Sequence, residues 1–448
     1  MPGPGPVSSA RPTLVGVNAA SPTTALLTDH YELTMLQAAL RAGTAQRRSV
    51  FELFPRRLPE GRRYGVVAGV GRALDALERF RFDDEVLDVL RDVVDRPTLD
   101  WLASYRFSGD IWGYAEGETY FPYSPLLTVE APFAEAVLLE TVLLSIYNHD
   151  SAIASAASRM TTAAGDRPCI EMGSRRTHEE AAVAAARAAY VGGFATSSNL
   201  AARQRYGVPT AGTSAHSFTL LHDSEEQAFR AQVDSLGKGT TLLVDTYDIA
   251  EAVRLGVEVA GPGLGAVRLD SGDLGALAHQ VRAQLDSLGA TGTRIIVTSD
   301  LDEFAIAGLA AAPVDGYGVG TELVTGSGHP TCGFVYKLVA RADDTGTMVS
   351  VAKKSQDKIS IGGRKYALRR RDRHGVAEAE VIGIGTPPVD DGDDRSLLVP
   401  LVRNGAVVGR ELLDDARARH ERSRAELPIA AQQMSRGEPV IETLHVGG

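Results

Sequence analysis

Short apolar runs alternate with amphipathic stretches through the middle of the chain, from residue 168 to about residue 335. Each run ends in polar residues and is followed by a stretch with helical spacing, a pattern typical of strands that alternate with helices. Such βαβ units are right-handed and build a parallel sheet. The runs, in chain order, are CIEMGSRR, YVGGFATSSN, PTAGTSAH, TTLLVDTYD, GAVRLDSGD, RIIVTSDLD and DGYGVGT.

Seven such units, to which an eighth strand nearby could be added, are too many for a comfortable open sheet. They predict a closed or nearly closed α/β barrel. The intervals between the runs are uneven, so we expect an irregular barrel. Two of the intervening helices begin with a capping-box pattern, formed by Thr177 with Glu180 and by Ser224 with Gln227.

The sequence before this pattern predicts a different kind of fold. Residues 28–43, TDHYELTMLQAALRAG, have the capping box of a surface helix, with Asp29 and Glu32 as its members, and a closing glycine. Residues 46–130 mix short strands with helical stretches, which indicates a mixed α/β domain. A long helical run from Pro132 then leads into the central pattern.

These changes of pattern divide the chain into four segments. Residues 1–22, rich in Pro, Gly, Ser and Ala, are expected to form a flexible leader and lack the features of a signal peptide. Residues 23–131 are the N-terminal mixed α/β flanking domain, and residues 132–345 are the irregular barrel with the catalytic site. Residues 346–448 form short strands and a helix, which we expect to pack on the flanking domain.

Composition narrows the class of protein. The 448 residues are 44% apolar and 23% charged, which is typical of a folded globular protein. A net charge of −11 disfavours nucleic acid and anionic membranes as partners, because both repel an acidic surface. The two cysteines, Cys169 and Cys332, allow no disulfide framework or cysteine metal cluster, and no apolar stretch is long enough to span a membrane. We therefore expect a cytoplasmic protein.

Polar residues at the ends of the apolar runs form the candidate site, because the carboxyl ends of parallel barrel strands converge. Arginines among them bind anionic oxygens in a two-pronged geometry, and carboxylates suit sugar hydroxyls or a magnesium ion. The mixture predicts a ligand that is both phosphorylated and polyhydroxylated. The residues are Arg175, Arg176, Ser198, Asn199, Thr213, His216, Asp245, Arg268, Asp270, Asp273, Ser299, Asp300 and Gly318 to Thr321.

Two members of this set have a structural as well as a chemical interpretation. His216, in AGTSAHSF, can act as a general acid or base or as a covalent phosphoryl acceptor, and its polar neighbours favour a chemical role. Gly318-Val-Gly-Thr321 follows the last strand, where many barrels bind phosphate with backbone N–H groups. The same four residues could equally be an ordinary tight connection.

Acidic residues also have both a structural and a chemical interpretation, whether or not they belong to the candidate site. Asp245, Asp273 and Asp300 could each be a helix cap or a ligand. Arg268 ends an apolar strand and needs a partner anion or carboxylate, which favours a ligand role for Arg268 together with Asp270. A second acidic pair, in YAEGETYF, is interpreted as exposed turn residues: Glu116 and Glu118.

An ordered series of motifs resembles the nicotinate phosphoribosyltransferases over residues of about 26 to 370. The motifs are LLTDHYELTM, EMGSRRTHEEA, GFATSSN, GTSAHSF, VRLDSGDL, VTSDLDE and GYGVGTELVT. The resemblance implies a type II phosphoribosyltransferase fold, an irregular α/β barrel with a flanking α/β domain. It also implies synthesis of nicotinate mononucleotide and diphosphate from nicotinate and 5-phosphoribosyl 1-diphosphate, in NAD salvage. In this family ATP hydrolysis drives the reaction through a phosphohistidine, and Mg²⁺ enters with the diphosphate.

The resemblance implies roles for individual residues. His216 matches the phosphorylated histidine, and Tyr31 matches a tyrosine that stacks on the pyridine ring across a homodimer interface. Ser198 is assigned to the pyridine ring, but the motif GFATSSN departs from the family pattern beside the ring-binding loop, which leaves open whether Ser198 or Ser197 faces the ring. The remaining matches are Arg175, Thr213 and Arg268 for nicotinate or diphosphate, Asp270 for the ribose, and Gly318, Gly320 and Thr321 for the 5-phosphate.

Three other functions are the alternatives. A nicotinamide phosphoribosyltransferase would be expected to place an aspartate near Ser198 to accept the amide N–H, whereas a serine donates to a carboxylate. A quinolinate enzyme would use more lysines and arginines around a dicarboxylate and needs no phosphohistidine. A non-catalytic metabolite-binding barrel is disfavoured because His216, Arg268, Asp270 and Thr321 are all intact.

Overall fold

The computed structural model describes residues 22–353 and 360–447, so the predicted leader lies outside the described residues except for its last member. The α-helices are α1 His30–Arg41, α2 Val70–Arg79, α3 Asp84–Leu90, α4 Arg96–Ala103, α5 Phe133–Val137, α6 Glu140–Ala164, α7 Glu179–Val191, α8 Leu200–Tyr206, α9 His216–Leu220, α10 Glu225–Leu236, α11 Ile249–Ala260, α12 Leu274–Ser287, α13 Glu303–Gly308, α14 Thr321–Val324 and α15 Leu413–Ala425. A short 3₁₀ helix covers Ile429–Gln432.

The strands in the described part of the chain belong to four sheets. They are β1 Arg48–Pro55, β2 Gly65–Val66, β3 Asp110–Tyr114, β4 Thr119–Tyr120, β5 Leu127–Pro132, β6 Cys169–Glu171, β7 Thr196–Ser197, β8 Thr241–Leu243, β9 Ala266–Leu269, β10 Arg294–Ser299, β11 Gly316–Val319, β12 Phe334–Ala342, β13 Met348–Ser350, β14 Lys365–Arg371, β15 Ala377–Ile384, β16 Arg395–Ser396, β17 Leu398–Arg403, β18 Ala406–Val407 and β19 Glu442–Val446.

Six strands form the parallel sheet that the central pattern predicts, in the order β7-β6-β11-β10-β9-β8. Every neighbouring pair in this sheet is parallel. The strands are buried on both faces, as expected for a sheet covered by its own crossover helices. The sheet curls into a half-barrel beside the flanking α/β domain, which confirms the predicted fold class.

The prediction of a strand is wrong for one of the seven runs. The run PTAGTSAH makes a single bridge, between Thr210 and Ser197, and is otherwise irregular. Residues 211–213 are exposed, so this segment gains no burial from joining the sheet. The sheet is therefore open between β7 and β8 in the part of the chain that the structure describes, and no eighth strand joins it there.

The flanking domain is built around a seven-stranded sheet in the order β13-β12-β1-β5-β3-β17-β18. Its strands come from both ends of the chain, because β12 pairs with β1 and β17 pairs with β3, both antiparallel. The boundary predicted at residue 345 thus falls between two strands of the flanking sheet, β12 and β13. A four-stranded sheet, β16-β14-β15-β19, completes the C-terminal segment.

The 25-residue helix α6 joins the two hydrophobic cores. Its first half places Val142 and Leu143 in the core of the flanking domain, and its second half places Ile153 and Met160 in the core of the half-barrel. It packs on α2 and β12 of the flanking domain and on α7 and α13 of the half-barrel. Although α6 is long, no helix in the two described ranges has both the length and the apolar character needed to cross a membrane.

Glu116 and Glu118 are not the exposed turn residues that the sequence suggested. They are 1% and 2% exposed. Both oxygens of Glu116 accept hydrogen bonds from Arg187, and both oxygens of Glu118 accept from Arg395 at 2.8 and 2.9 Å. Burial by itself would raise the pKa of each acid, but the guanidinium groups hold both pKa values below the ordinary value.

Of the capping boxes predicted within the half-barrel, one is present in part and the other is shifted. The Ser224 hydroxyl accepts a hydrogen bond from the Gln227 N–H at 3.3 Å, as expected at the start of α10. Thr177 does not cap α7, because the helix begins two residues later. His178 takes that position, and its Nδ1 accepts from the Glu180 N–H at 3.3 Å.

The capping box predicted for α1 is also wrong. Asp29 is the residue before the helix, but its side chain makes no capping hydrogen bond. Glu32 is fully buried and accepts hydrogen bonds from the Thr28 hydroxyl and from the Thr141 hydroxyl and N–H. The acid therefore fastens α1 to the start of α6, and its burial raises its pKa.

Candidate active site

A cleft of about 180 Å³ lies at the carboxyl ends of the parallel strands. Four strands, β6, β9, β10 and β11, end at this cleft, which is the convergence that the barrel geometry predicts. It brings together many of the predicted site residues, in company with two that were not predicted, Met172 and Thr298. The cleft is lined by Met172, Arg175, Arg176, Asp270, Thr298, Ser299, Asp300, Gly318, Gly320 and Thr321.

His216 and Asp245 form a pair beside this cleft. His216 is the first residue of α9, and its Nε2 lies 3.2 Å from Oδ1 of Asp245. The Asp245 side chain is 2% exposed, and its Oδ2 accepts hydrogen bonds from the Asp270 N–H and the Ser271 hydroxyl, both at 2.9 Å. Asp245 is not a helix cap, because Asp248 caps α11. Its carboxylate instead joins three loops of the site.

Arg268 lies on β9, close to Asp245 of this pair and to Asp270 of the cleft. Its Nη1 donates a hydrogen bond to the Thr213 hydroxyl at 3.2 Å, and its Nε is buried without an acceptor among the described residues. Burial lowers the pKa of Arg268, while the nearby charges of Asp270 and Asp245 act in the opposite direction and Arg175 lowers the pKa further. A buried guanidinium N–H without an acceptor fits an anionic ligand.

Gly318 and Thr298 form the floor of the cleft. A Cβ atom at Gly318 would lie 2.4 Å from Cγ2 of Thr298 and 2.8 Å from Sδ of Met172, so only glycine fits. The Thr298 hydroxyl donates to Oδ1 of Asp270 and orients this acid. Close approach of β11 to β10 therefore both shapes the floor and fixes an acid above it.

The sequence allowed Asp273 and Asp300 to be either helix caps or ligands, and in the structure only Asp273 is a cap. Asp273 is the cap of α12, because its Oδ1 accepts from the Ala276 N–H at 3.1 Å. Asp300 is not a cap, since Asp302 takes that position for α13. The carboxylate of Asp300 lines the cleft, 3.5 Å from the Thr321 hydroxyl.

The serines of GFATSSN have distinct environments. Ser197 is 1% exposed, and its hydroxyl donates to the buried carboxylate of Glu171. Ser198 is exposed and has its N–H bonded to the Glu171 carbonyl oxygen at 2.8 Å. Asn199 is occupied as the cap of α8 and as a donor to Ser174. Ser198 is thus the serine whose hydroxyl is accessible to a ligand.

Tyr31 does not line the cleft. It lies on α1, which packs on α4 and α5 of the flanking domain, and its side chain is among the exposed large groups at 44%. Partial burial and the charge of Glu140 raise the pKa of Tyr31 to about 12. The same face of α1 also exposes Met35 at 37%.

The candidate metal ligands of the protein are acidic side chains. Within residues 22–353 and 360–447, the one group of three side chains with ligand atoms close enough together is Asp390, Asp391 and Asp394. These residues lie in the C-terminal segment and not at the cleft. The cleft itself contains Asp270 and Asp300. Two carboxylates suit a cation that reaches the site already bound mainly to oxygen atoms of the substrate.

A parallel half-barrel with arginines, acids and a glycine turn at the carboxyl strand ends defines a type II phosphoribosyltransferase fold. The crystal structure of human nicotinic acid phosphoribosyltransferase has this fold, with a TM-score of 0.79 and 26% identity over 94% of this chain and 97% of that one. The nicotinate-nucleotide pyrophosphorylase of Pyrococcus furiosus shares the fold as well, with a TM-score of 0.73 and 23% identity over 93% of this chain and 99% of that one.

Sequence comparison identifies the family. Residues 26–148 match the family described as nicotinate phosphoribosyltransferase (NAPRTase) N-terminal domain. The nicotinate phosphoribosyltransferase pncB1 of Mycobacterium tuberculosis is 58% identical over 93% of this chain and 94% of its own. The Bacillus subtilis nicotinate phosphoribosyltransferase is 38% identical over 82% of this chain and 77% of its own. The chain belongs to the nicotinate phosphoribosyltransferase family.

Arg268→Lys should impair turnover far more than conservation of charge suggests. Lysine cannot bond Thr213 and an anion at the same time in the fork geometry of a guanidinium. We expect kcat/KM to fall by about 100-fold, measured with saturating co-substrates. A variant within about twofold of the wild type would correspond to less than about 0.5 kcal/mol and would contradict direct ligand contact.

Proposed function

We propose that this chain transfers the phosphoribosyl group of 5-phosphoribosyl 1-diphosphate to nicotinate, forming nicotinate mononucleotide and diphosphate for NAD salvage. ATP hydrolysis drives the reaction through phosphorylation of His216. The observation that carries the proposal is the buried Arg268 Nε, which has no acceptor among the residues that the structure describes and lies beside Asp270, in a family of this activity. A ligand with both anionic groups and hydroxyls satisfies both side chains.

Substitution at the anomeric carbon needs charge stabilisation more than proton transfer. The transition state is oxocarbenium-like, and diphosphate leaves with substantial negative charge, which Arg268 and Arg175 would bind. The nicotinate ring nitrogen is already a nucleophile, so the protein must orient it and need not deprotonate it. Asp270, held by the Thr298 hydroxyl, faces the ribose, and the turn at Gly318, Gly320 and Thr321 takes the 5-phosphate.

His216 is then free for a different task, the acceptance of a phosphoryl group from ATP. Asp245 holds the ring by Nε2, which leaves Nδ1 as the nitrogen that attacks the γ-phosphorus of ATP, with ADP as the leaving group. Mg²⁺ supplies charge neutralisation on the diphosphate and ATP phosphates when bound. Asp270 and Asp300 are the acids at the cleft that would contact it.

Nicotinate is the preferred pyridine substrate because Ser198 offers a hydroxyl donor to its carboxylate. Thr213, tied to Arg268, completes the polar surroundings of the ring. Purified protein with radiolabelled nicotinate, phosphoribosyl diphosphate and Mg²⁺ should form the mononucleotide, faster with ATP than without. Nicotinamide should not replace nicotinate, and equal turnover of the two would refute the substrate assignment.

His216→Ala should abolish transfer of label from γ-labelled ATP to the protein and remove stimulation by ATP. Weak ATP-independent synthesis should remain, because the attacking nitrogen belongs to the substrate. The measurement is acid-labile, base-stable protein-bound label, together with mononucleotide formation. Label that persists in the variant would show that another residue is phosphorylated.

The proposed assembly is a homodimer in which Tyr31 serves the site of the other subunit. Tyr31 lies outside the cleft of its own chain on a helix of the flanking domain, and it is exposed. Leu26, Leu27 and Met35 are also exposed at or just before this helix, at 43%, 58% and 37%. A twofold interface would cover this apolar face and bring Tyr31 to a second cleft in one self-complementary contact.

Mixing inactive Tyr31→Ala with inactive Arg268→Ala subunits tests the shared site. If Tyr31 acts in trans, each heterodimer has one intact site and one site with both lesions, so statistical exchange restores about a quarter of wild-type activity. If Tyr31 acts within its own chain, every site carries a lesion. Absence of recovery, with subunit exchange demonstrated, would therefore rule out the shared site.

A further inference from the structure

Glu171 is a buried acid at the carboxyl end of β6 that the proposed reaction does not use. Its side chain is fully buried, and each carboxylate oxygen accepts one hydrogen bond. Oε1 accepts from the Gly173 N–H, and Oε2 accepts from the Ser197 hydroxyl. The main-chain oxygen of the same residue accepts from the Ser198 N–H at 2.8 Å.

No cation pairs with this carboxylate among the residues that the structure describes. Burial raises the pKa of Glu171, and the two hydrogen bonds act in the opposite direction. A buried acid held by neutral donors alone is costly for stability compared with an apolar residue of similar size. Stability is therefore a poor explanation for an acid at this position, in the apolar run CIEM.

The two donors belong to different loops of the candidate site. Gly173 opens the loop after β6, which carries Arg175, and Ser197 ends β7, directly before Ser198. The Gly173 turn is tightly confined, because a Cβ atom there would lie 2.2 Å from Cγ1 of Val324. The carboxylate thus fixes one loop against the wall of the half-barrel and fastens the second loop to the first.

A second contact joins the same two loops, and the other half of the site is held separately. The Asn199 side chain donates to the Ser174 hydroxyl at 3.0 Å, next to the Glu171 contacts. Asp245 holds His216 and the Asp270 loop at the opposite end of the sheet order, from β8 and β9. No hydrogen bond between described residues links Glu171 to the Asp245 group.

We propose that Glu171 is a positioning residue that determines how nicotinate binds, by fixing the Ser198 hydroxyl and the loop of Arg175 relative to each other. This inference rests on the proposed function. The carboxylate accepts on both oxygens, whereas a glutamine accepts on one side and donates on the other. The Ser197 hydroxyl already accepts from the Asn199 N–H, so facing a glutamine N–H it would lose the acceptor for its own proton. Phosphorylation of His216 depends on the Asp245 half and should be insensitive to this change. Binding of phosphoribosyl diphosphate should weaken less than binding of nicotinate, because Arg268 and the turn at Gly318 also hold the phosphates while Arg175 is only one of their contacts.

The test compares Glu171→Gln, Ser197→Ala and the double variant in steady-state assays of mononucleotide formation. Glu171→Gln should raise the KM for nicotinate by about tenfold. The rate of His216 labelling from ATP should stay within about twofold, and the KM for phosphoribosyl diphosphate should rise by less than about threefold. Ser197→Ala removes one of the two donors to Glu171 and also the acceptor of the Asn199 N–H at 2.8 Å, and it should raise the KM for nicotinate by about threefold. The effects in the double variant should be less than multiplicative, because the contact between Glu171 and Ser197 is already lost in each single variant.

Thr293→Val is the matched control. The Thr293 hydroxyl is also buried and donates one hydrogen bond, to the Leu264 carbonyl oxygen at 2.8 Å, but it precedes β10 at the opposite end of the strands. Its loss should leave both KM values unchanged at a similar cost in melting temperature. A general loss of barrel stability would instead alter Thr293→Val and Ser197→Ala alike.

Three results would overturn the inference in a wild-type protein that makes nicotinate mononucleotide. The first is an equal change in both KM values, and the second is a multiplicative effect in the double variant. The third is an unchanged nicotinate KM in folded Ser197→Ala. This third result alone would overturn the inference even if Glu171→Gln fails to fold. A wild-type protein that forms no mononucleotide would refute the proposed function itself, and that measurement comes first.

Discussion

The buried carboxylate of Asp245 is the contact on which the geometry of the candidate site depends. A charge that is 2% exposed must be satisfied by donors, and Asp245 finds them in the His216 ring, the Asp270 N–H and the Ser271 hydroxyl. These donors come from segments that are distant in sequence and converge only at the strand ends. The need to satisfy one carboxylate therefore sets the distance between the proposed phosphoryl acceptor and the ribose-facing acid.

Local pattern predicted much of the fold, and burial decided the rest. Six of the predicted runs are parallel strands because their apolar residues are sufficient to fill both faces of a covered sheet. PTAGTSAH ends in the same kind of polar residues but has little to bury, and it forms a single bridge through Thr210. Glu116 and Glu118 were misassigned because their partners, Arg187 and Arg395, lie 71 and 277 residues away.

The candidate site, like the fold, could be predicted from the sequence only in part. Motif order placed His216, Arg268 and Asp270 at strand ends, and the structure shows which contacts each one makes. Sequence reasoning missed Glu171, although a signal was present. The rule that a charged residue in an apolar strand needs partners was applied to Arg268 and applies equally to the acid in CIEM. Its partners are neutral, so no complementary charge in the sequence drew attention to it.

A protein with a net charge of −11 must bind anions by local arrangement. Arg175 and Arg176 line the cleft with Asp270 and Asp300, so the field within the cleft is mixed rather than uniformly positive. Mixed charge suits a ligand that presents phosphate oxygens at one end and hydroxyls at the other. It also means that the arginines do not neutralise a diphosphate completely, which is the physical reason for proposing that Mg²⁺ arrives bound to the substrate rather than in a site built by the protein.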